Sequence, residues 1–315
     1  MSPAADPEAP ILDPAATRPL TPHVALRSVT LLVNPLSGST GPGAVERATA
    51  LLAAWPLESR VIALEGENLE AQIGAALAER PDLLAVLAGD GTARAAAGLA
   101  GPDGPLIAPL PGGTMNMLPK ALYGTTDWVE ALTRTLESGA PQDVSGGDID
   151  GHTFYCAAIL GSPALWAPAR EAVRKGRLDL AWSHARKALR RAFGGRVRYR
   201  LDGGPVRRAE ALALLCPLIS RALHEAEDGL EAAALSPTDA AEAFRLAYHA
   251  LTSDWRHDPS VLTAKVRSAR VEARSRIPAV LDGESVLLAP RARVRFTPRA
   301  FRALAPRPSA DETQV

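Results

Sequence analysis

The chain has 315 residues, of which 47% are hydrophobic and only 4% are aromatic, so a sizeable core built mainly of Ala, Leu and Val is expected. Lys plus Arg and Asp plus Glu number 35 each, and this balance excludes a global attraction to nucleic acid. No apolar run reaches the length of a membrane span. Cys156 and Cys216 lie in apolar runs without CxxC spacing, which predicts two buried free thiols in a reducing compartment.

Both ends of the chain are predicted to be tails. Residues 1–24 are rich in Pro and Ala, so we expect disorder there. They lack the basic and apolar regions of a secretion signal, so we do not expect one. Residues 306–315 are similar in composition. The predicted organisation between them is an α/β domain over 25–143, a β-rich domain over 144–285 with a helical insertion at 167–193, and a C-terminal return segment over 286–305.

The first half of the chain alternates short apolar runs with segments of helical spacing. The predicted elements in chain order are strand 29–33, helix 44–54, strand 60–64, helix 69–78, strand 83–87, helix 92–99 with Thr92 as its cap, strand 106–108 and a further helix. This alternation is typical of a doubly wound parallel sheet, which binds ligands beyond the carboxyl ends of its strands.

The second half is predicted to consist mainly of antiparallel strands. The strand-like segments are 153–159, 196–201, 211–215, 260–266, 269–273, 279–281 and 294–296. The predicted fold class is therefore α/β plus β, with an N-terminal doubly wound α/β domain followed by an antiparallel β-rich domain.

Three loops at the carboxyl ends of predicted strands are rich in Gly, Asn and hydroxyl residues: 34–38, 88–92 and 112–116. Glycines let backbone N–H groups approach phosphate oxygens, and a following helix N-terminus adds a favourable dipole. Hydroxyl and amide groups suit the phosphates and sugar of a nucleotide. The candidate nucleotide-binding residues are Asn34, Ser37, Gly38, Gly89, Gly91, Thr92, Gly112, Gly113, Thr114 and Asn116.

Asp90 lies inside the second of these loops, where its charge would repel a phosphate in direct contact. Its carboxylate suits a position that holds Mg²⁺, directly or through water, or that takes a proton from an acceptor hydroxyl. The alternative at this point is an Asp-Gly turn between a strand and a helix, without a chemical role.

These motifs resemble the diacylglycerol kinase catalytic-domain family, which includes bacterial lipid kinases, sphingosine kinases and ceramide kinases. The matching residues are Asn34-Pro35-x-Ser37-Gly38, Gly89-Asp90-Gly91-Thr92, Pro109-x-Pro111-Gly112-Gly113-Thr114-x-Asn116 and the late acidic motif Leu281-Asp282-Gly283-Glu284. Their order and approximate spacing match the family pattern over nearly the whole ordered chain.

The resemblance implies a two-domain fold with ATP in the cleft between a nucleotide-binding domain and a lipid-substrate domain. It implies that Asp90 and Glu284 are catalytic residues near the acceptor hydroxyl, and that Asp90 and Asp282 are metal ligands. ATP and Mg²⁺ are the expected cofactors. The expected reaction is in-line transfer of the ATP γ-phosphate to the primary hydroxyl of a lipid.

Two departures from the family pattern bear on nucleotide and metal binding and on the identity of the substrate. Ala95 stands where the family usually has an acid, and Gly161-Ser162-Pro163-Ala164 lacks the carboxylate of a Gly-Phe-Asp-Ala signature. No acid occurs between Gly161 and Arg170, in the region that resembles the amine-binding region of sphingosine kinases. We therefore expect a neutral acceptor, either diacylglycerol or an N-acylated sphingoid such as ceramide.

Three alternatives to this assignment stay open. A sphingoid-base kinase is one, and an NAD kinase, which shares the Gly-Asp-Gly-Thr turn, is another. The 34–38 loop and the 282–284 motif favour the lipid kinase over the NAD kinase. The third alternative is a non-catalytic lipid-binding protein derived from a kinase: the two departures support it, and the presence of both Asp90 and Glu284 argues against it.

A basic segment predicts contact with a membrane. The window 170–208 carries 13 Lys and Arg against 3 acids, and its helical spacing places apolar residues on one face. The expected contacts with an anionic membrane surface are Trp182, Arg186, Lys187, Arg190 and Arg191. The alternative is a helix that packs its apolar stripe on the second domain. The expected location is cytoplasmic, at the inner face of the membrane that holds the lipid substrate; nucleic acid is not an expected partner, and a homodimer is left open.

Overall fold

The computed structural model of the chain describes residues 22–161, 197–220, 222–223, 228–236, 256 and 258–306. Most of the two predicted tails and the whole predicted insertion at 167–193 lie outside these ranges. The predicted membrane contacts Trp182, Arg186, Lys187, Arg190 and Arg191 therefore also lie outside the described residues. Across the described part of the chain, no helix combines the length and the apolar character that a membrane crossing requires.

Four parallel strands form the centre of the first half. Its elements are β1 (Ser28–Val33), α1 (Ala44–Ala53), β2 (Glu58–Ala63), α2 (Leu69–Ala78), β3 (Leu83–Ala88), α3 (Asp90–Ala100), β4 (Leu106–Pro111), α4 (Met117–Tyr123) and α5 (Trp128–Ser138). The strands pair in the order β2-β1-β3-β4, and every pairing among them is parallel. Strands β3 and β4 are buried at every position, as expected for a parallel sheet covered on both faces.

In the described part of the second half, the regular elements are strands. They are β5 (Gly139–Ile149), β6 (His152–Phe154), β7 (Ala157–Gly161), β8 (Val197–Leu201), β9 (Arg207–Ala209), β10 (Ala211–Leu215), β11 (Leu230–Leu235), β12 (Val261–Val266), β13 (Ser268–Glu272), β14 (Ile277–Leu281), β15 (Glu284–Leu288) and β16 (Arg291–Pro306). Six of them form an antiparallel sheet in the order β12-β11-β10-β7-β14-β15. The others extend the first sheet to ten strands, in the order β4-β16-β13-β8-β9 beyond β4, with β5 on β16 and β6 on β5.

Strand β16 links the two halves. Its N-terminal part pairs with β13 in antiparallel register, and near its end Ala303 pairs with Ile107 of β4 in parallel register. Strand β5 runs antiparallel along both parts, with a register shift in β16 between Thr297 and Phe301. The end of the chain thus pairs with the first sheet. The domain bounds given above remain a prediction.

Two hydrophobic cores hold these layers in place. One joins β1, β3 and β4 to the helices and contains Leu31, Leu84 and Leu132. The other fills a sandwich between the six-stranded sheet and the β8-β13-β16 part of the larger sheet. Both cores consist mainly of Leu, Ala, Val and Ile. Cys156 and Cys216 are free and buried as predicted, and burial raises the pKa of each thiol well above its ordinary value.

The predicted fold class is confirmed, and two element predictions are wrong. The predicted strand 153–159 is broken between β6 and β7, because the N–H groups of Tyr155 and Cys156 bind the Asp282 carboxylate instead of a neighbouring strand. Helix α3 begins at Asp90 with Gly89 as its N-cap, so Thr92 is not the cap. Gly89 has extended backbone angles there, which lets the helix start directly after β3.

Candidate active site

The three glycine-rich loops meet at the carboxyl ends of β1, β3 and β4. The backbone N–H of Asn34 donates to Leu87 O at 2.9 Å, and that of Gly112 donates to Ala88 O at 3.1 Å. The N–H of Ser39 donates to Gly112 O at 2.9 Å. Backbone hydrogen bonds therefore tie the first and third loops to β3 and to each other.

Hydroxyl side chains of the first loop hold the other two loops. Ser37 Oγ accepts the N–H of Gly89 at 3.1 Å, and Ser39 Oγ donates to Gly113 O. The buried Thr40 donates through Oγ1 to Gly112 O at 3.3 Å. Ser39 and Thr40 were not among the predicted site residues, although the run Ser37 to Thr40 places them directly after the recognised motif.

The second and third loops approach so closely that a side chain would not fit between them. A Cβ atom added to Gly113 would lie 2.6 Å from Gly89 Cα, and one added to Gly112 would lie 2.7 Å from Ala88 N. A Cβ added to Gly38 would lie 2.9 Å from Thr114 Oγ1. Glycine is required at Gly113 by this contact between two backbones, so both loops present main-chain groups at the same edge of the sheet.

Asn116 closes the third loop on itself. It lies in the left-handed region at φ 50°, precedes α4, and is 4% exposed. Its Oδ1 accepts the N–H of Gly113 at 2.7 Å and its Nδ2 donates to Gly113 O at 3.0 Å. The structure gives this amide a loop-holding role, and its predicted contact with nucleotide stays a prediction.

Asp90 stands where α3 and α4 begin. Its Oδ1 accepts the N–H of Leu118 at 3.4 Å. Burial raises the pKa of this carboxyl, and the backbone N–H groups at the start of α4 act in the opposite direction. The nearby Asp282 also raises the pKa of Asp90. Asp90 is thus a partly desolvated carboxylate next to a second acid, at the edge where the loops meet.

Asp282 is buried in the turn between β14 and β15. It is 3% exposed, its Oδ2 accepts the N–H of Tyr155 at 2.7 Å, and its Oδ1 accepts those of Cys156 and Ala157 at 2.9 Å each. Burial raises the pKa of this carboxyl although the three N–H groups lower it. The side chain therefore fastens the hairpin to the break between β6 and β7, a role that the sequence does not indicate.

Glu284 reaches the first turn of α3 from the six-stranded sheet. Its Oε2 forms an ion pair with Arg94 Nη2, and Arg94 Nη1 donates to Leu281 O at 3.3 Å. The Arg94 side chain is 21% exposed and that of Glu284 is 45% exposed. A Cβ added to Gly91 would overlap Glu284 Oε1, so the carboxylate lies directly over Gly91. The structure thus brings Glu284 and the neighbourhood of Asp90 together, as the resemblance implies.

Arg94 is a site residue that sequence reasoning missed. Arg94 and Glu284 are 190 positions apart, and neither the helix pattern nor the hairpin motif pairs them. Beside this ion pair opens a cavity of about 410 Å³, bounded by Gly91, Ala95 and Gly98 of α3 and by Thr153 across from them. The small side chain at Ala95 leaves that cavity open where an acid would extend into it.

The acidic residues at this edge fit Mg²⁺ as kinases bind it. In the ranges that the structure describes, no group of three or more His, Cys, Asp or Glu residues is arranged to hold a metal. Mg²⁺ is usually held by one or two carboxylates together with substrate phosphates and water. The charge of the nearby Asp282 raises the pKa of Asp90, and a divalent cation bound at Asp90 would offset that repulsion.

Comparison with known proteins agrees with this geometry. Residues 28–148 match the model of the diacylglycerol kinase catalytic domain. None of the curated proteins matches the sequence. Among solved structures, a diacylglycerol kinase from Bacillus anthracis strain Sterne is 19% identical with a TM-score of 0.68, covering 90% of this chain and 99% of that one. A second structure from the same strain, provisionally named a diacylglycerol kinase, is 19% identical with a TM-score of 0.70 and the same coverage.

The solved structures share the fold over nearly their whole length, and the family match covers the three loops, Asp90 and the start of the second half. The family match supports a lipid kinase without identifying the acceptor. The match over residues 28–148 and the shared fold confirm the resemblance of this chain to the diacylglycerol kinase catalytic-domain family.

Proposed function

We propose that the protein is an ATP-dependent lipid kinase that phosphorylates the primary hydroxyl of a neutral lipid, either diacylglycerol or ceramide. One observation carries this proposal. Glu284 comes from the second half of the chain to lie over Gly91, at the edge where the three loops present their backbone groups. A candidate phosphate-binding edge and a candidate base thereby share one site.

The loops would bind the nucleotide through main-chain groups. The N–H groups of Gly89 and Gly113 are already bonded to Ser37 Oγ and Asn116 Oδ1, so these glycines shape the loops. The N-terminus of α3 would supply the donors and its dipole, because the N–H groups of Asp90, Gly91 and Thr92 precede the first bond of the helix, from Ala93 N–H to Gly89 O. Ser37 and Thr114 would supply hydroxyls to the phosphates or sugar, as predicted from the sequence. Asp90 would hold Mg²⁺ together with the phosphates of ATP, and the ion would supply positive charge beside the transferring group.

Glu284 would orient the acceptor hydroxyl and receive its proton. The hydroxyl oxygen bonds to the γ-phosphorus while the bond to the β–γ bridging oxygen breaks, and ADP leaves with that electron pair. A carboxylate is a weak base, but a loose transition state requires little proton removal early in the reaction. Arg94 fixes the position of the Glu284 carboxylate and holds the hairpin through Leu281 O.

The proposal of a neutral acceptor rests on the absence of an acidic side chain that could bind a cationic one. No acid occurs between Gly161 and Arg170 that could hold a cationic sphingoid amine. We therefore expect label from γ-labelled ATP to enter diacylglycerol or ceramide at least about tenfold faster than sphingosine, because a missing charged hydrogen-bond partner costs roughly 1.5 kcal/mol or more. The assay offers these lipids and NAD to one enzyme preparation with Mg²⁺. Rates on sphingosine comparable to those on diacylglycerol or ceramide would contradict the proposal of a neutral acceptor. Transfer to NAD alone would show that the protein is an NAD kinase.

Gly91 offers a test of the position of Glu284. An alanine Cβ at Gly91 would overlap Glu284 Oε1 and lie 2.9 Å from Cδ, so Gly91→Ala must displace the carboxylate. We expect kcat to fall by about a hundredfold, the effect of roughly 1 Å of misplacement in an active site.

Gly98→Ala is the matched control on the same helix. The nearest atom to its added Cβ is Tyr155 Oη, at an ordinary contact distance of 3.5 Å. This variant should keep its kcat and gain about 0.5–1 kcal/mol of stability from helix propensity. Steady-state kinetics and thermal melts of both variants check the prediction, and equal kcat values in the two would contradict the placement of Glu284.

A further inference from the structure

Arginines form a row across three neighbouring strands of the larger sheet. In the antiparallel register, Arg200 of β8 lies opposite Arg270 of β13, and Arg270 lies opposite Arg293 of β16. Residues directly opposite on adjacent strands share a face of the sheet. All three side chains are exposed, so three like charges stand side by side in solvent.

Further arginines extend this row into a basic face. Arg198 lies opposite Arg208 and Glu272, and Glu272 lies opposite Arg291. Strand alternation adds Arg295, two positions beyond Arg293. We call this set the arginine face: Arg198, Arg200, Arg208, Arg270, Arg291, Arg293 and Arg295. The alternate residues Val197, Tyr199, Val271 and Val294 are buried in the sandwich core, so the arginine face is the solvent side of these strands.

The charges on the arginine face are largely uncompensated by the described part of the chain. Glu272 lies 4.0 Å from Arg198, and Asp148 lies 3.4 Å from Arg295. Within the described ranges, Arg200, Arg270 and Arg293 form no ion pair. Like charges directly opposite one another destabilise a sheet, and the chain has a formal net charge of +0, so a basic composition does not account for the cluster. The arrangement suits an anion that comes from outside the chain.

A small recess lies within the arginine face. It has a volume of about 180 Å³ and opens between Arg200 and Arg270, with Gly203 and Ser268 at its wall. Guanidinium groups bind phosphate oxygens through paired N–H donors. The recess therefore offers a place where one phosphate group could contact two arginines from adjacent strands.

We propose that the arginine face docks the protein on the headgroup phosphates of an anionic lipid bilayer. This inference rests on the proposed function, because the acceptor of a lipid kinase stays in the membrane. The basic charges spread over neighbouring strands about 5 Å apart, which matches an extended anionic surface better than a single soluble ligand. The described face presents no aromatic side chain on which nucleic acid bases could stack. Its residues are different from those of the predicted contact at 182–191, which lie outside the described residues.

The test compares two triple variants that remove the same number of charges. The first replaces Arg200, Arg270 and Arg293 by Gln. The second replaces Arg27, Arg60 and Arg80, exposed residues at the opposite, β2 end of the same sheet. Partition is measured by sedimentation onto vesicles of equimolar phosphatidylglycerol and phosphatidylcholine, and onto pure phosphatidylcholine. A basic residue near an anionic surface contributes about fivefold, so the first variant should lose roughly a hundredfold in partition onto anionic vesicles.

The control variant should stay within a few fold of the wild type, and raising the salt concentration should weaken wild-type binding. Unchanged partition of the first variant would overturn the proposal, and so would an equal loss in the control. Release of the protein from vesicles by millimolar inorganic phosphate or by an oligonucleotide, where sodium chloride of equal ionic strength does not release it, would also overturn it, in favour of a soluble anion. Transfer of phosphate to a short-chain diacylglycerol or ceramide in detergent micelles should be unaffected in both variants; absence of transfer to either lipid in the wild type would overturn the proposed function instead.

Discussion

Replacing Glu284 by Gln should lower kcat for phosphate transfer by between about a hundredfold and ten-thousandfold, the range that a positioned proton acceptor contributes. The amide keeps the size of the side chain and cannot accept the hydroxyl proton. Asp90→Asn should cause a loss in the same range, because it removes the charge proposed to hold Mg²⁺. Initial rates with labelled ATP and a saturating lipid measure both effects.

Glu79→Gln is the matched control for Glu284→Gln. Glu79 forms an ion pair with Arg60 at the far edge of the sheet, and its side chain is 51% exposed. It therefore resembles Glu284 in being a partly exposed glutamate paired with an arginine, but it lies outside the site. This variant should keep wild-type kcat. The Glu284→Gln protein should still melt at a higher temperature when Mg-ATP is added, since its nucleotide loops are intact. Full activity of either site variant would overturn the catalytic assignment.

Asp282→Ala should cost at least about 3 kcal/mol of folding free energy. It leaves the N–H groups of Tyr155, Cys156 and Ala157 without their carboxylate, and each unsatisfied buried donor costs about 1–3 kcal/mol. The hairpin that carries Glu284 would lose its attachment to the β6–β7 break. Denaturant unfolding followed by fluorescence measures the loss.

Asp202→Ala is the matched control for Asp282→Ala. Asp202 also precedes a glycine in a left-handed turn, at φ 42°, and accepts the N–H groups of Arg267 and Ser268. These bonds are exposed, so water can replace the carboxylate and the loss should stay near 1 kcal/mol. Equal losses in the two variants would show that burial of Asp282 is not what makes it important.

The α/β half follows closely from its sequence because β1, β3 and β4 are mainly apolar runs. Segments such as 83–87 are short, apolar and followed by a turn-rich loop, which favours a buried strand in a sheet covered on both faces over a longer buried helix. The meeting of the three loops also follows, because parallel strands end at the same edge. The hydrogen bonds of Ser39 and Thr40 depend on loop conformation, which composition does not specify.

Several strands of the second half could not be predicted because their sequences lack a strand pattern. Strand β5 contains Gly146 and Gly147, and it forms because β16 pairs along its length. Cβ atoms there would collide with Tyr155 and Phe154, so aromatic rings occupy the space of the missing side chains. Strand β11 is rich in Ala, which favours helix, and pairing with β10 and β12 overrides that preference.

Contacts between residues far apart in the sequence are the other part of the site that could not be predicted. The motif 281–284 indicates an acidic turn, and only the folded chain shows that Asp282 fastens the hairpin while Glu284 meets Arg94. The arginine face has a partial signal, the alternate arginines at 198 and 200 and at 291, 293 and 295. That three such strands are neighbours is a property of the sheet order.

The most direct measurement is transfer of label from ATP to lipid. The wild-type protein is incubated with Mg²⁺ and with ATP labelled at either the γ- or the α-phosphate, in mixed micelles of diacylglycerol or ceramide, and the extracted lipid is counted. We expect label to appear in lipid from γ-labelled ATP alone, and to fall at least about a hundredfold in the Glu284→Gln protein. Absence of label from every lipid, in a protein that Mg-ATP still stabilises against heat, would contradict a catalytic site at this edge of the sheet.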